Sequence, residues 1–462
     1  MGGRNLTRRH FLGLSAAGGL AGLVHGCAST AEASAKGGAR RIATFSCDVT
    51  PPLGTPLYPS YKPLDTIEQP LQAKGVILED GGGRSVLCAV DWCELCNDTY
   101  LEFRNAVAAA AKTSPDRVAV QTVHQHTAPM ADLRAFRMFD GIEESPPSPS
   151  GEQIHLPLAH LREAVAAALD HMEPYDQIGT GQAKAERVAS NRRVPIGDGK
   201  VGFRASSCRD PKLVEAPEGL IDPYVKTVTF ARGGVPLARL HYYATHPQSF
   251  YGDPRASIDF PGMAREWLQE QEGVFQVYFT GCGGNIAAGK YNDGTPEARQ
   301  GLYERLRAAM KASAEATVYA PAEDADWRAV PVYFTPRTDE GFRGPELKER
   351  IWNKSGTPND RICAAMVMAW QESAKKPITL TAAHIGNIRL LHLPGEVAVE
   401  FQLFAQELCP DQFVAVAAYG DCGPAYINLE RFTAEGGYEP GAAQVVPETE
   451  QLLRSAIKTL LA

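Results

Sequence analysis

Two histidines separated by one residue follow directly on an apolar run of the chain. The run covers residues 118–123, and His124 and His126 stand where it gives way to a loop that contains Pro129. In a β-strand, residues two apart point to the same face of the sheet. Two imidazoles on one face at the end of a strand can converge on one metal ion or one substrate. A surface loop that happens to contain two histidines explains the pattern as well, so other segments must complete a site.

The composition is that of an ordinary soluble globular protein and argues against nucleic acid as the main partner. Of the 462 residues, 44% are apolar and 22% are charged. The formal net charge of -8 repels a phosphate backbone. Length alone allows one large domain or two or three smaller ones.

The first forty residues differ from the rest and resemble an export signal. Arg8 and Arg9 precede a mildly apolar run rich in glycine and alanine, residues 13–24, which is too short to span a membrane. Twin arginines before such a run resemble a bacterial twin-arginine signal. The small residues Ala31 and Ala33 offer a cleavage site. A poorly ordered tail is the simpler alternative.

Cys27 lies in a segment that resembles a lipoprotein attachment site, although His25 is atypical there. We therefore expect either a cleaved protein of the periplasm or cell envelope, or one attached to a membrane surface through its N-terminus. On this interpretation, residues 1–33 are the export signal, residues 34–40 are a linker, and residues 41–462 are the mature domain.

The spacing of apolar residues predicts hairpins and helices in alternation. Hairpins mixed with helices predict an α/β or α+β fold with mixed sheets flanked by helices, in a single large catalytic domain and not as a regular array of βαβ units. The predicted hairpin strands are 73–78 with 85–91, 222–231 with 236–244, and 378–384 with 388–393. Further strands are predicted at 41–49, 117–123, 274–279 and 413–418, and helices at 97–112, 152–172, 260–271, 297–317, 359–373, 397–408 and 448–461.

Four local features have a structural interpretation. Asn97 is a plausible helix N-cap, and the polar, proline-bounded stretch 321–331 is a candidate junction. Asp91, at a strand end, either orients a ligand histidine or closes a turn. Arg265 and Glu266 lie on an amphipathic helix, where we expect a solvated face.

Polar groups suited to a metal stand at four predicted strand ends. They are the His124–His126 pair, His246, Glu396 and the loop around Tyr426. Two or three imidazoles with a carboxylate suit zinc, which accepts nitrogen and oxygen ligands and keeps a position for water when it is catalytic. The simpler explanations are a turn histidine at 246 and a carboxylate stabilised by a helix N-terminus at 396.

The order of several short motifs resembles that of the neutral (alkaline, non-lysosomal) ceramidases, from residue 48 to about residue 438. No single motif is specific, but their order is. In this chain Gln125 replaces a threonine of the family pattern and Ala128 replaces a glycine. The motifs are Asp48-Val-Thr-Pro-Pro-Leu-Gly, His124-Gln-His-Thr-Ala-Pro, Asn191-Arg, Tyr243-Ala-Thr-His-Pro-Gln-Ser, Asp259-Phe-Pro-Gly, Thr280-Gly-Cys-Gly-Gly-Asn, Pro394-Gly-Glu, Ala425-Tyr-Ile and Gly437-Tyr-Glu.

The resemblance implies a zinc site and a set of catalytic residues, in a catalytic domain without the C-terminal β-sandwich domain of the family. The implied zinc ligands are His124, His246, Glu396 and Tyr426. The residues implied to line the reacting centre without being principal ligands are His126, Arg192 and Tyr438.

The function implied is that of an exported zinc-dependent hydrolase that cleaves an amide (N-acyl) bond. Zinc lowers the pKa of its bound water to about 7, which makes hydroxide available to attack a carbonyl carbon. Arg192 and Tyr438 would stabilise the developing oxyanion, and His126 would pass a proton to the leaving amine. The expected substrate is a small-molecule or lipid-like amide, which the motifs do not fix as ceramide.

Two alternatives remain open at this point. The same centre could hydrolyse an ester or a phosphoester, since zinc, histidine and arginine serve those reactions as well. The chain could also be a non-catalytic binding protein of the cell envelope whose metal is structural, because a structural zinc is closed by four protein ligands.

Overall fold

Three β-sheets, each built around a hairpin, form the frame of the protein. The structure, a computed structural model, describes residues 40–462. Twelve α-helices flank these sheets in the described part of the chain, which confirms the predicted mixed α/β fold. The predicted export signal, Cys27 and nearly all of the predicted linker lie outside the described residues. Those assignments and the domain boundaries therefore stay predictions.

The first sheet contains the first predicted hairpin. Its central strands, Gln72–Asp80 and Gly83–Val90, pair antiparallel, with Ile77 opposite Val86. Val118–Thr122 adds to the hairpin in parallel, with Thr122 opposite Val90. In spatial order the strands are Glu173–Pro174, Arg41–Asp48, Gln72–Asp80, Gly83–Val90 and Val118–Thr122.

The second sheet repeats this arrangement around the second predicted hairpin. Tyr224–Arg232 and Val235–Tyr243 pair antiparallel, and Phe275–Thr280 adds in parallel, with Thr280 opposite Tyr243. The two remaining strands were not predicted from the sequence. In spatial order the strands are Phe275–Thr280, Val235–Tyr243, Tyr224–Arg232, Gln177–Lys184 and Val318–Pro321.

The third sheet is built in the same way around Ile378–Ile385 and Ile388–His392, which pair antiparallel. Phe413–Ala417 adds in parallel, with Ala417 opposite His392. The opposite edge is Asp326–Val332, which pairs antiparallel with Ile378–Ile385. The prediction of a junction at 321–331 was therefore wrong for residues 326–331, which belong to this edge strand.

Short ladders and helices complete the described chain. The short strands are Pro56–Leu57, Lys62–Pro63, Thr66–Ile67, Glu94–Leu95, Met130–Ala131, Ser190–Asn191, Arg193–Gly197, Lys200–Phe203, Arg255–Ala256, Ile286–Ala287, Glu396–Val397 and Tyr426–Ile427. The α-helices are Asn97–Ala110, Leu133–Arg137, Gly151–Ala168, Pro211–Glu215, Asp259–Glu272, Pro296–Glu315, Gly344–Trp352, Pro358–Ser373, Val399–Leu408, Arg431–Glu435, Glu439–Ala442 and Thr449–Leu461.

Local chemistry explains where several helices begin. The Ser150 hydroxyl accepts a hydrogen bond from the Gln153 amide, and the Gln153 side-chain oxygen accepts one from the Ser150 amide, so a capping box starts one helix. Thr295 and Thr357 cap the helices that start with Pro296 and Pro358. Asn97 is not the N-cap that we predicted, since Cys96 occupies that position and Asn97 is the first helical residue.

The hairpins of the first and third sheets carry buried apolar residues on both faces. Val86 and Leu391 point into one hydrophobic cluster, which contains the helices Asn97–Ala110 and Pro358–Ser373. Their neighbours Leu87 and Leu390 point into a second cluster, which is shared with the second sheet. Successive residues of a strand face opposite ways, so these strands lie between two hydrophobic clusters.

The three strands that add in parallel end at one place. The Thr280 hydroxyl donates to the Val123 carbonyl at 2.6 Å, and the Ala418 amide donates to the Thr280 carbonyl at 2.9 Å. The Thr122 amide donates to the Tyr419 carbonyl at 2.8 Å. The loops that follow the three strands are therefore held against one another, where groups from all three sheets can meet.

A fully buried ion pair links the first sheet to the helix Asp259–Glu272. The two terminal nitrogens of Arg265 donate to the two carboxylate oxygens of Asp91, each at 2.8 Å, and both side chains are buried. Burial acts to lower the pKa of Arg265, but the charge of Asp91 raises it above its usual range. The expected solvated face was therefore wrong for Arg265, and Asp91 binds this arginine and no histidine.

We expect the variant Arg265→Met to lose about 3–5 kcal/mol of unfolding free energy, because it leaves Asp91 charged, buried and without its partner. Urea denaturation monitored by circular dichroism measures this loss. The matched control is Glu315→Gln, which breaks the exposed helical pair with Lys311 and should cost less than about 1 kcal/mol. Equal losses in the two variants would contradict this account of the pair.

Candidate active site

His124 is placed by a backbone turn that comes after the strand. The strand ends at Thr122, and His124 adopts a left-handed conformation with φ of 70°. Its amide donates to the Trp92 carbonyl at 2.9 Å. Its Nδ1 lies 2.9 Å from the Cys93 carbonyl oxygen, an acceptor, so Nδ1 carries the proton and Nε2 presents a lone pair. The strand alternation that suggested the pair is therefore not what brings the two histidines together.

His246 follows the second sheet's hairpin and is oriented by the glycine-rich turn 281–285. Its Nδ1 lies 2.7 Å from the Gly283 carbonyl oxygen and 3.0 Å from that of Ile286. Both partners are acceptors, so Nε2 of His246 is unprotonated too. A Cβ atom on Gly283 would lie 2.8 Å from the Tyr419 hydroxyl. A glycine at this position therefore allows the turn to pack closely against Tyr419.

Glu396 and Tyr426 are register partners in a short parallel ladder. Oε2 of Glu396 lies 3.2 Å from Nε2 of His124 and 2.9 Å from Nε2 of His246. The Tyr426 hydroxyl lies 3.5 Å from Nε2 of His246. The structure thus brings together four side chains that are separated by up to about three hundred positions in the sequence.

The donor atoms of this cluster fit a divalent cation. The ligand atoms of His124, His246 and Glu396 lie within 4.8 Å of one another, and all three residues are buried. Each of the three offers a lone pair. The Nδ1 protons of His124 and His246 are bound by backbone carbonyls, so neither proton lies between these ligand atoms. Buried acceptors that face one another are costly without a positive charge, and two imidazoles with a carboxylate are ligands that zinc accepts.

The pKa shifts within the cluster also favour a cation at this position. Burial acts to raise the pKa of Glu396, but His124 and His246 outweigh this effect, so the pKa lies well below its usual value. Burial acts to lower the pKa of His124, and Glu396 overcomes it, so that pKa is raised. The carboxylate therefore attracts positive charge to this point. For Tyr426, burial raises the pKa well above its usual value, and Arg192 acts against that shift.

Arg192 lies over the cluster and is held by a buried carboxylate. Its Nη1 is 3.2 Å from Nε2 of His246 and its Nη2 is 3.3 Å from the Tyr426 hydroxyl. Its Nε is 3.3 Å from Glu439, and both side chains are buried. Three aromatic rings surround the guanidinium at 5.0–5.5 Å, those of Phe203, Tyr426 and Tyr438. The sequence identified Arg192 but not Glu439, which fixes its direction.

His126 lies beside the cluster as predicted. Its Nε2 is 3.3 Å from Nε2 of His124. On its other side, the Gln248 amide nitrogen is 3.1 Å from Nδ1 of His126, and the Gln248 carbonyl oxygen accepts from the Ser206 hydroxyl. This pairing fixes Gln248 as the donor, so His126 carries its proton on Nε2, toward the centre. Burial and the neighbouring histidines hold its pKa well below the usual value.

Tyr438 marks the entrance to the site. Its side chain is 43% exposed, its ring stacks on Phe203 with 5.0 Å between centroids, and it meets Tyr426 edge-on at 5.6 Å. Burial of its inner part raises its pKa to about 12. All seven residues singled out in the sequence therefore lie in one neighbourhood.

Two buried residues of the site were missed by sequence analysis. Tyr419 stacks on the His124 ring with centroids 4.3 Å apart, and its buried hydroxyl has no hydrogen-bond partner among the described residues. Oε1 of Glu94 lies 3.9 Å from Nδ1 of His124. Burial and then the charge of Glu396 raise the pKa of Glu94 to about 8. Tyr419 has a left-handed φ of 62° directly after a strand, but its sequence gives no sign of this role.

Comparison with known proteins identifies the fold. A neutral ceramidase from Pseudomonas aeruginosa superimposes with a TM-score of 0.64 at 15% sequence identity, over 92% of this chain and 74% of the other. A second structure, a ceramidase complexed with C2, gives a TM-score of 0.63 at the same identity and coverage. A scan against protein-family models found no match, and a search of curated proteins found none either.

The chain therefore has a neutral-ceramidase-like fold, as its motif order predicted. At 15% identity this likeness establishes the fold alone. Across residues 40–462, no helix combines the length and the apolar character needed to cross a bilayer.

If the cluster binds zinc, we expect the variants His246→Ala and Glu396→Gln to lose zinc affinity by more than the roughly 10–100-fold that loss of an outer hydrogen-bond partner costs, because each would remove a ligand atom. Calorimetric titration with zinc, and zinc content after dialysis, measure this. His155→Ala, which removes an exposed histidine paired with Glu102, is the control and should bind as the native protein does. Full zinc occupancy in both ligand variants would refute the assignment of these four side chains.

Proposed function

We propose that this protein is a zinc-dependent hydrolase that cleaves an amide (N-acyl) bond, with His124, His246, Glu396 and Tyr426 as the zinc ligands. The observation that supports it most directly is the meeting of two unprotonated imidazole nitrogens with a carboxylate oxygen at 2.9–3.2 Å. Zinc in such a site supplies a hydroxide nucleophile near neutral pH and polarises a carbonyl group.

Arg192 stabilises the negative charge that develops on the carbonyl oxygen. Its terminal nitrogens point into the centre while Nε is paired with Glu439, so the donors are fixed before the substrate binds. Donors that are already oriented need no reorganisation as the charge develops. The aromatic rings around the guanidinium exclude water and strengthen these interactions.

His126 would donate a hydrogen bond to the leaving nitrogen, and the attacking water would supply the proton that leaves with the amine. The amide of Gln248 donates to Nδ1, so the proton of the neutral ring is held on Nε2, which faces the centre. A leaving nitrogen needs such help because an amide anion is too poor a leaving group. An ester does not need it as strongly, which is why the arrangement favours an amide over an ester.

An open approach to the centre favours catalysis over a structural metal. A cavity of about 160 Å³ reaches Glu396, Tyr426 and Tyr438. A structural zinc site would have no use for such an opening next to two of its ligands. Export by the twin-arginine route, with or without attachment at Cys27, is part of the same proposal and depends on the N-terminal sequence.

We expect Arg192→Lys to lower kcat by about 10²–10³, the usual cost of losing a fixed oxyanion donor, while zinc content stays unchanged. The assay is a panel of acyl amides, acyl esters and aryl phosphates of similar size, with zinc measured in each preparation.

The matched control is Arg193→Lys, because Arg193 pairs with the same Glu439 at 2.8 Å but makes its other contact with Glu435. It should retain activity within a few fold of the native protein. Turnover of esters or phosphates with none of amides would replace this proposal with one of the two other hydrolase activities. Tight ligand binding without turnover of any member of the panel would favour the non-catalytic alternative.

A further inference from the structure

The cavity beside the centre is bounded at its inner end by apolar side chains. Met130, Met366 and Val367 lie on its wall, and all three are buried. Met366 and Val367 belong to the helix Pro358–Ser373, and both are members of the hydrophobic cluster on which that helix packs. Protein interiors are close-packed, so the cavity cannot be extended past these side chains without displacing core residues.

The charged groups on the wall of this cavity already have partners. Nη2 of Arg350 donates to Asp360 at 2.7 Å. Glu396 faces the two histidines of the site. Glu94 lies against Glu396 and accepts from the Cys96 thiol, with 3.6 Å between Sγ and Oε2. A ligand that reaches the inner end therefore meets apolar side chains and needs no charge of its own.

The cavity lies on the carbonyl side of the scissile bond. Tyr426 and Tyr438 line it, and both rings flank the guanidinium of Arg192, which is the proposed donor to the carbonyl oxygen. In the described chain, His126, which faces the leaving nitrogen, is not part of the wall. Tyr58 separates the two, because its ring lines the cavity and lies 5.2 Å from the His126 ring, measured between centroids. The cavity is therefore placed to receive the acyl group and not the amine.

The volume of the cavity limits the length of that acyl group. At about 160 Å³ it is close to the roughly 150 Å³ of an engineered apolar cavity that binds benzene, a ligand of about six carbon atoms. It lies below the roughly 300–1,000 Å³ of sites for drug-sized ligands. A longer chain would have to push packed side chains out of their positions, and such overpacking is unfavourable.

We propose that Met366 and Val367 determine specificity by closing an acyl pocket, so that the substrate is an amide of a short straight-chain acid of about six carbon atoms. Each methylene group that enters the pocket leaves water, which raises kcat/KM about fourfold. This gain ends where the chain meets the two side chains of the helix. The inference about the substrate rests on the proposed amide hydrolysis, whereas the size limit of the pocket does not.

The test is a series of ethanolamine amides with acetyl, butanoyl, hexanoyl, octanoyl, decanoyl and dodecanoyl groups, assayed below their critical micelle concentrations. With the zinc-loaded native protein, we expect kcat/KM to rise about fourfold per methylene group and to reach its maximum near hexanoyl. For dodecanoyl it should be at least about tenfold below that maximum, because the chain no longer fits.

Two variants change the pocket in opposite directions. Met366→Ala shortens a side chain at the inner end and should move the maximum to longer chains by about two carbon atoms. Ala442→Leu adds bulk at a partly buried position on the wall and should move the maximum to shorter chains. The matched control is Met368→Ala, which removes the same atoms from the same helix at a position that packs on the hydrophobic cluster but does not line the cavity. It should keep the native maximum.

A native maximum between butanoyl and octanoyl, with the two opposite shifts, supports the proposal. A native maximum at acetyl, at decanoyl or at dodecanoyl would overturn it, and so would equal kcat/KM across the series. A maximum that stays in place in both pocket variants would show that another part of the molecule limits the chain. If Met366→Ala does not fold, the shift in Ala442→Leu decides alone.

If the native protein hydrolyses none of these amides, the proposed function fails, and binding then decides the size of the pocket separately. Calorimetry with butanoate, hexanoate and dodecanoate needs no turnover and compares chains that share one carboxylate. Tightest binding of hexanoate, with that preference lost in Ala442→Leu and kept in Met368→Ala, supports a short acyl pocket. Any other order of affinities, or no binding of hexanoate, refutes it.

Discussion

The lone pairs that meet at Glu396 are the constraint on which the rest of this structure depends. Two imidazole nitrogens and one carboxylate oxygen lie within hydrogen-bonding distance, yet the protons that might separate them are directed away. The carbonyl oxygens of Cys93 and Gly283 bind those protons. In a buried setting this arrangement needs positive charge beside it, which the Arg192 guanidinium supplies on one side and which a bound cation would supply at the point of convergence. The fold therefore has to hold the carbonyls as firmly as the ligands.

A repeated supersecondary unit holds these carbonyl groups and the side chains of the site in place. Each of the three sheets contains the strands of one such unit, which is an antiparallel hairpin, a following helix, and a strand that returns in parallel to the second hairpin strand. The first unit supplies His124, the second supplies His246, and the third supplies Glu396 and Tyr426. Ligand sites lie outside the carboxyl ends of parallel strands in many α/β proteins, and here three such ends are hydrogen-bonded together around one site.

Much of this could be predicted from the sequence, because hairpins and amphipathic helices leave periodic patterns. The hairpin 378–384 with 388–393 is observed as Ile378–Ile385 with Ile388–His392. The edge strand Asp326–Val332 was missed because only one of its residues is buried, so it lacks the apolar alternation that marks a strand. Arg265 was misjudged for a related reason. Helical spacing shows which residues share a face of the helix. It does not show that the buried Asp91 lies opposite Arg265 and neutralises its charge.

The residues of the site also fall into those that the sequence identified and those that it missed. His124, His246 and Glu396 belong to chemically distinctive residue types at strand ends, and these are visible in one sequence. Tyr419 and Glu94 act through position alone. A tyrosine stacked on a ligand and a carboxylate facing a cavity look like any other tyrosine and glutamate in a sequence, since their roles arise from contacts with residues tens to hundreds of positions away.

The backbone of the glycine-rich turn 281–285 contacts three separate parts of the site. The carbonyl of Gly283 orients His246, and the amide of Gly284 donates to Val397, the residue after Glu396, at 2.9 Å. The carbonyl of Asn285 accepts from the Arg192 amide at 2.8 Å. A Cβ atom on Gly284 would come within 2.4 Å of the Glu396 carbonyl oxygen. The turn therefore sets the spacing between His246 of the second unit, Glu396 of the third and Arg192, and glycine at positions 283 and 284 lets its backbone approach the first two segments this closely.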